Sequence, residues 1–225
     1  MTFELKDIVP WGRNLNEYIT MFNLTESELN KSIISIGDGP ASFNSELKDR
    51  SRVISIDPIY KFSSREIKSR IEEARPHILS QLQINKNKFV WGRVKNIEEL
   101  EKLRLKAMNN FLKDFEKGKI EKRYIGHEMP NVLNFENNHF DLGLSSHFLI
   151  LYSQLGLDFH LASINEMLRL AKEVRIFPII NLNGEKTELL KDLIDHYEKT
   201  IMVRIVKTDY EFQKGGNEML VLKNN

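Results

Sequence analysis

The order of hydrophobic and polar positions along the chain predicts strands that alternate with amphipathic helices. Short apolar, β-branched runs, typical of strands buried inside a parallel sheet, occur at residues 32–36 and 52–56. Further strands are predicted at 140–144 and 173–180, with a weaker one at 122–126. This alternation is typical of an α/β fold built around a mostly parallel sheet.

The last part of the chain predicts a β-hairpin. Two apolar runs, 201–207 and 218–222, are separated by a polar stretch that contains Gly215 and Gly216, and adjacent glycines between apolar runs are a hairpin signal. The sequence therefore predicts a doubly wound, seven-stranded sheet in a three-layer αβα arrangement. The sheet is expected to be mostly parallel, with an antiparallel strand in the C-terminal hairpin.

Capping patterns and proline or glycine positions predict the limits of the helices. A capping side chain is followed three residues later by a glutamate at three places, which are Asn14 with Glu17, Ser63 with Glu66, and Asn96 with Glu99. Pro76 is expected to end or kink the second helix. The third helix should cover about 97–117 and stop at Gly118, a C-cap residue. Two more helices are predicted near 159–171 and 187–199.

Composition and charge exclude several classes of protein. The 33 Lys and Arg nearly balance the 32 Asp and Glu, which excludes a strongly basic nucleic-acid coat, an acidic tail protein and a highly charged disordered chain. The absence of cysteine excludes disulfide scaffolds, thiolate metal sites and cysteine nucleophiles. The longest apolar run, 148–152, is far shorter than the roughly 20 residues of a membrane span. Since the first residues also lack an apolar signal segment, we expect a cytoplasmic protein.

The most informative segment is a glycine-rich turn after the first predicted strand. Gly37 and Gly39 flank Asp38, and a helix is expected to begin near Ala41. Two glycines separated by one residue let the backbone turn sharply and approach a ligand closely. The amino end of the helix would then offer free N–H groups to an anionic or polar ligand. Taken alone, the pattern also fits an ordinary strand–helix turn.

An acid at the end of the next strand favours a nucleotide ligand. Asp57 follows Gly37 by 20 residues. In nucleotide-binding α/β folds an acid at this place accepts hydrogen bonds from ribose hydroxyls. Asp57 followed by Pro58 would also suit a helix cap, but together with the glycines it predicts a ribose site. Ser42 at the sixth position of the glycine pattern leaves the dinucleotide fingerprint incomplete.

With these features the sequence resembles the class I (Rossmann-like) S-adenosylmethionine-dependent methyltransferases. The first motif of that family is a strand leading into G-x-G, followed about 20 residues later by an acid, as in residues 33–43 and Asp57. Residues 131–148 are similar to the approach to the family's fourth strand, and 165–184 to its following helix and fifth strand. The C-terminal hairpin matches the antiparallel seventh strand of that fold. The resemblance spans residues 33–222.

The resemblance implies that the chain binds S-adenosyl-L-methionine and transfers its methyl group to an unidentified small molecule. The implied cofactor-binding residues are Arg13, Gly37, Asp38, Gly39, Ser42, Asp57, Pro58, Glu128 and Ser145. Within this set Arg13 would meet the cofactor carboxylate or else be solvated, and Glu128, or alternatively His127, would contact the adenine amine. Asp38 would assist the methionine ammonium or point to solvent. Ser35 stands where many family members carry an acid.

His147 and Tyr152 are the candidate catalytic residues. Ser145, Ser146 and His147 end the fourth predicted strand, and ligands of such sheets lie at the carboxyl ends of the strands. His147 is expected to act as a base or to orient the acceptor, and the alternative is a buried structural histidine. Tyr152 is expected to line the pocket. The six histidines show no metal-ligand spacing, so no metal site is expected.

The chain of 225 residues is expected to form a single domain over 1–225. By the resemblance, residues 1–30 would form a helical lid over the cofactor, and about 61–120 a helical insertion that covers the active site. Nucleic acid is not expected as a partner, because the basic excess at 102–123 is typical of a solvated helix face. A non-catalytic cofactor-binding module and an NAD-dependent oxidoreductase remain alternatives, and the oligomeric state stays open.

Overall fold

One seven-stranded sheet organises residues 10–224, the part of the chain that the computed structural model describes. The strands are β1 Ile33–Ile36, β2 Val53–Ile56, β3 Tyr124–Ile125, β4 Phe140–Ser146, β5 Ala171–Phe177, β6 Met202–Lys207 and β7 Glu218–Lys223. Their spatial order is β3-β2-β1-β4-β5-β7-β6. The first five strands pair in parallel, and β7 runs antiparallel to both β5 and β6. The predicted mostly parallel sheet with an antiparallel C-terminal hairpin strand is confirmed.

Helices cover both faces of this sheet. They are α1 Leu15–Phe22, α2 Phe43–Glu46, α3 Ser64–Ile84, α4 Ile97–Ile120, α5 Leu157–Leu170 and α6 Glu188–Tyr197. Adjacent residues of a strand point to opposite faces, and accordingly Ile33 and Ile34 of β1 belong to different hydrophobic clusters. Ile33 packs in the cluster that contains α1 and α2, whereas Ile34 packs in the cluster that contains α5 and α6. This is the predicted three-layer arrangement.

The predicted helix starts are confirmed where a capping side chain was present. Both reciprocal hydrogen bonds of a capping box form between Asn14 and Glu17 and between Ser63 and Glu66. The side chain of Asn96 accepts a hydrogen bond from the backbone of Glu99 at the start of α4. These side chains satisfy backbone N–H groups that have no partner inside the helix.

The helix limits differ in detail from the predicted ones at three places. The helix expected near Ala41, after the glycine turn, is the short α2, which begins at Phe43. Pro76 does not end the second helix: it lies inside α3, which continues to Ile84, and Ile78 and Leu82 beyond the proline are buried against α4.

Gly118 also lies inside its helix, since α4 continues to Ile120. A side chain at Gly118 would place its Cβ 2.3 Å from the ring of Tyr124, so the glycine makes room for that ring rather than ending the helix.

The predicted strand 173–180 begins earlier, at Ala171, and ends at Phe177. Pro178 follows there and has no N–H to contribute to the strand pairing.

Two accessory segments were predicted, at 61–120 and 1–30. Helices α3 and α4 occupy most of residues 61–120 and connect β2 to β3. Of the predicted lid segment 1–30, residues 1–9 lie outside the described residues, and the rest contains α1. Within residues 10–224, no helix is both long enough and apolar enough to cross a membrane.

Candidate active site

The glycine turn after β1 has the backbone conformation that glycine favours. Gly37 and Gly39 have positive φ angles of 73° and 52°. A Cβ atom at Gly37 would lie 2.6 Å from the side chain of Phe148, so this glycine allows close packing against the residues after β4. At Gly39 a Cβ would have no atom of the described residues within 4 Å. Gly39 therefore faces open space.

Asp57, at the end of β2, contacts this open glycine. Its Oδ2 accepts a hydrogen bond from the backbone N–H of Gly39 at 2.8 Å, and its Oδ1 accepts one from the N–H of Ile59 at 2.9 Å. Asp57 thus also caps the short 3₁₀ turn Pro58–Lys61. The hydroxyl of Tyr60 donates to the carbonyl of Gly39 at 2.6 Å, which holds the glycine from its other side. Burial raises the pKa of Asp57 to about 6, although the two N–H donors lower it.

A cleft of about 570 Å³ opens over the ends of β1 and β2. Its lining includes seven of the residues singled out from the sequence, namely Gly37, Gly39, Asp57, Pro58, His127, Glu128 and Tyr152. Apolar side chains complete it, among them Ile36, Ile59, Met129 and Phe159. The cleft has the size and the mixed lining that are usual for small-molecule sites. Because it contains residues that the resemblance assigns to cofactor binding, this surface is called the cofactor cleft below.

Asp38, between the two glycines, is buried beside the cofactor cleft instead of lining it. The expectation that it points to solvent is wrong, because it is only 6% exposed. The hydroxyls of Tyr18 and Ser35 donate to its Oδ1, and that of Ser55 donates to its Oδ2 at 2.7 Å. Burial raises the pKa of Asp38, and the three hydroxyls oppose the increase. Asp38 fixes the glycine turn to α1, β1 and β2.

Two other predicted residues, Ser42 and Ser145, are fully buried. Within the described part of the chain, neither hydroxyl has a hydrogen-bond partner, and neither residue lines the cofactor cleft. The backbone N–H of Ser42 donates to the carbonyl of Arg13 at 2.9 Å, which ties the N-terminal segment to the residues after the glycine turn.

A second, smaller cavity of about 110 Å³ shares Tyr152 with the cofactor cleft and is called the inner chamber below. Its lining is Trp11, Arg13, Ile78, Leu82, Phe89, Arg104, His147, Leu151, Tyr152, Leu182, Phe212 and Gln213. Arg13 and His147 were predicted as functional residues, and both lie here rather than in the cofactor cleft. Side chains from α3, α4 and the β6–β7 connection surround them.

Two arginines in this chamber differ in their partners. Arg104, only 1% exposed, donates to both carboxylate oxygens of Glu17 at 2.6 Å and to the hydroxyl of Tyr210 at 3.3 Å. Burial opposes its charge, but Glu17 raises the pKa of Arg104 above its ordinary value. Arg13 donates to the carbonyl of Trp11 at 3.2 Å, and among residues 10–224 no carboxylate forms an ion pair with it. Burial, and then Arg104, lower the pKa of Arg13.

The sequence pattern missed Arg104, Glu17 and Phe212 as members of this region. Glu17 was identified only as a capping residue, although it also forms the buried ion pair with Arg104. Arg104 looked like one of many basic residues of a solvated helix. The signal that could have indicated the burial of Arg104 is that its neighbours on the same helix face, such as Leu100 and Met108, are apolar.

His147 follows β4 and lies between aromatic rings. Its φ of 54° is unusual for a residue other than glycine, and its N–H donates to the carbonyl of Phe177 at 2.7 Å. The ring packs edge-on against Phe177 and Tyr210, and its Nδ1 lies 2.9 Å from the hydroxyl oxygen of Ser146. Burial, followed by Arg13 and Arg104, holds the pKa of His147 well below its usual value. The imidazole is therefore neutral at physiological pH.

The remaining titratable groups do not indicate a metal centre. In the part of the chain covered by the structure, no three His, Asp or Glu side chains are grouped as metal ligands would be. His160 is buried in α5, and its ring nitrogens lie 2.6 and 3.0 Å from the carbonyl oxygens of Gly156 and Leu149. His77, His139 and His196 are exposed.

Comparison with known proteins gives one sequence relative and several structural neighbours. The chain is 38% identical over 222 residues to the uncharacterized protein MJ0045 of Methanocaldococcus jannaschii, and 97% of each protein is covered. No protein-family model matches.

Among solved structures, the methyltransferase domain of bacterial CtHen1 is 14% identical with a TM-score of 0.48, over 93% of this chain and 100% of that one. The N-methyltransferase NodS from Bradyrhizobium japonicum is 12% identical with a TM-score of 0.48, over 93% and 96%. The magnesium protoporphyrin IX methyltransferase of Synechocystis, solved with bound S-adenosylmethionine, is 10% identical with a TM-score of 0.45, over 93% and 77%.

Proposed function

We propose that this chain, which belongs to the same family as the uncharacterized protein MJ0045 and has the fold of the class I methyltransferases, transfers a methyl group from S-adenosylmethionine to a small molecule. The observation that carries the proposal is the contact between Gly39 and Asp57. It joins an open glycine and a carboxylate at the ends of neighbouring parallel strands, where ligands of such sheets bind.

The residues of the cofactor cleft fit the nucleoside part of S-adenosylmethionine. Each oxygen of Asp57 accepts one backbone N–H, and each keeps a lone pair that a ribose hydroxyl can use. Gly39 has no side chain to block that approach. Pro58 and Glu128, together with His127, line the same cleft and are proposed to contact the adenine.

Three of the predicted cofactor residues are proposed to act from behind the cleft. Asp38 holds the glycine turn through hydroxyl donors on three different elements. Ser42 is buried in the segment that follows β1, and Ser145 is buried near the end of β4. Such residues support binding by fixing the backbone, so their substitution should disturb binding and folding together.

The chemistry depends mainly on positioning, since a methyl sulfonium is already reactive. When bound, the cofactor supplies a methyl group: a lone pair of the acceptor forms the new bond to carbon, the C–S bond gives its electrons to sulfur, and any acceptor proton passes to a base. Tyr152 lines both cavities, which supports a role for it between the cofactor and the acceptor. His147 lines the inner chamber together with Tyr152.

His147 is proposed to accept or orient the acceptor proton. The hydroxyl of Ser146 lies 2.9 Å from Nδ1 of His147 and 3.7 Å from Sδ of Met21. When this hydroxyl donates to Met21, it can accept a hydrogen bond from Nδ1–H. That tautomer leaves Nε2 as the free acceptor.

Transfer of a labelled methyl group tests the proposal. The protein is incubated with methyl-labelled S-adenosylmethionine and the small-molecule fraction of a cell extract, and labelled product and S-adenosylhomocysteine are measured together. We expect both to form, and His147→Ala to lower turnover while leaving the affinity for S-adenosylhomocysteine unchanged. His77→Ala, which removes an exposed histidine, is the matched control.

Unchanged turnover in His147→Ala would exclude the catalytic role of this residue. Binding of the cofactor without transfer to any component of the extract would instead indicate a non-catalytic S-adenosylmethionine-binding module.

A further inference from the structure

The inner chamber contains more positive than negative charge. Two guanidinium groups, those of Arg13 and Arg104, line it, and no acidic residue is among the described residues of its lining. Glu17 forms a close ion pair with Arg104 from outside the lining. Glu17 also attracts Arg13 at longer range, but within residues 10–224 no carboxylate forms an ion pair with Arg13.

The hydrogen-bonding capacity of these arginines is also incompletely used. In the described structure, the Nε atoms of both Arg13 and Arg104 are buried without a hydrogen-bond partner. The contact of Arg13 with the carbonyl of Trp11 uses one of its other nitrogens. A buried cation with unused donors is costly unless an anion pairs with it.

The neighbouring groups show the effect of this charge. His147 lines the same chamber, and its pKa is held well below the usual value by burial and then by Arg13 and Arg104. The histidine stays neutral, so it neither adds a third positive charge nor supplies the missing negative one. The rest of the lining is mostly apolar and aromatic, with Trp11, Phe89 and Phe212 among its members.

We propose that the inner chamber binds the methyl acceptor and that this acceptor is a small carboxylate with an apolar or aromatic body, paired with Arg13. The inference rests on the proposed function, because it identifies the chamber that shares Tyr152 with the cofactor cleft as the acceptor site. A planar guanidinium pairs well with a carboxylate, and the aromatic side chains suit a flat or aliphatic body. The volume of about 110 Å³ admits a compact molecule or one end of a longer one.

Isosteric pairs of acids and amides test this inference. Benzoate is compared with benzamide, and pentanoate with pentanamide, by calorimetry in a low-salt buffer, both with and without saturating S-adenosylhomocysteine. At least one acid should bind at least about tenfold more tightly than its amide, because only the acid can form an ion pair with the guanidinium. Equal affinity of acid and amide in both pairs, or no binding of either acid, would overturn the inference.

Substitution of Arg13 shows whether its anionic partner is the carboxylate of the acceptor or the carboxylate of the cofactor. Arg13→Gln should remove the preference for the acid and change the affinity for S-adenosylhomocysteine less than twofold. Arg65→Gln removes an exposed arginine of α3 and should change neither. A tenfold loss of S-adenosylhomocysteine affinity in Arg13→Gln would mean that this arginine holds the cofactor carboxylate, and the inference would then be wrong.

A measurement on the unmodified protein covers the case in which Arg13→Gln does not fold. Binding of benzoate or pentanoate beside Arg13 would offset the positive charge of the guanidinium and so raise the pKa of His147. This pKa is measured by NMR, and comparison with the spectrum of His147→Gln identifies the His147 signal. An unchanged pKa at saturating acid would overturn the inference. Failure of S-adenosylhomocysteine to bind would contradict the proposed function alone, since the acids are also titrated in its absence.

Discussion

The backbone N–H of Gly39 donates to the Oδ2 of Asp57 at 2.8 Å, across the ends of two neighbouring parallel strands. This hydrogen bond connects the two features of the sequence that predicted a ribose site, which are 18 residues apart along the chain. It also means that Asp57 is oriented before any ligand binds. A preoriented carboxylate loses less freedom on binding, and this favours affinity.

Removal of the Asp57 carboxylate should weaken cofactor binding. Asp57→Ala is expected to reduce the binding free energy of S-adenosylhomocysteine by about 1–3 kcal/mol, because the ribose hydroxyls lose their acceptors. Calorimetric titration measures the change, and Asp195→Ala, at an exposed position of α6, is the matched control. Normal binding by Asp57→Ala would show that the ribose lies elsewhere.

The affinity for S-adenosylhomocysteine should fall in mild acid. The pKa of Asp57 is raised to about 6, chiefly by burial, so the carboxylate becomes protonated as the pH falls through 6. Because the proposed ribose contacts need the ionised form, binding should be about tenfold weaker at pH 5 than at pH 7. Asp57→Asn should bind weakly and with little pH dependence over the same range. An equal decrease in Asp57→Asn would assign the effect to another group.

The two glycines of the turn should respond differently to alanine. At Gly39 the added methyl group meets open space in the protein, so Gly39→Ala should cost only about 1–2 kcal/mol of unfolding free energy, from its positive φ. The same methyl group projects into the cofactor cleft and should reduce affinity for S-adenosylhomocysteine at least tenfold. Gly37→Ala should destabilise more strongly, since its Cβ would lie 2.6 Å from Phe148.

Urea unfolding and calorimetry measured on both variants check this difference. Full cofactor affinity in Gly39→Ala would contradict the proposed cleft, whereas equal stability of the two variants would contradict the packing at Gly37.

The buried ion pair between Glu17 and Arg104 should contribute strongly to stability. It joins α1 to α4, and both side chains are less than 10% exposed. Glu17→Gln leaves the Arg104 charge buried without its partner and should lower the free energy of unfolding by about 3–5 kcal/mol. Urea unfolding measures this, with Glu98→Gln at an exposed position of α4 as the control. A loss below about 1 kcal/mol would mean that water or a rearrangement replaces Glu17.

Local patterns in the sequence were sufficient to predict the sheet and several residues that line one cleft. Apolar β-branched runs marked β1 and β2; Gly37 and Asp57 each follow one of these strands directly, and Gly39 lies two residues beyond Gly37. Because parallel strands end at the same edge of the sheet, the topology brings these residues together. Pro76 does not end α3, because the cost of the proline is offset by the packing of residues farther along the helix, which no local rule contains.

The inner chamber could not be predicted in the same way. Arg13, Arg104 and Phe212 come from segments about 90 or more residues apart, and each looks ordinary in its own segment. Arg104 is buried only because Glu17 of α1 and Tyr210 of the β6–β7 connection meet it in the folded protein. Contacts of this kind depend on tertiary packing and leave no periodic signal in the sequence.

Parallel calorimetric titration with S-adenosylmethionine, S-adenosylhomocysteine and NADH tests the central claim most directly. We expect sub-millimolar binding of the first two, with one molecule per chain. We expect no binding of NADH, because the chain lacks the complete glycine fingerprint that binds the pyrophosphate of a dinucleotide. Binding of NADH alone would indicate an oxidoreductase, and binding of none of the three would contradict the assignment of the cleft beside Asp57 to this cofactor.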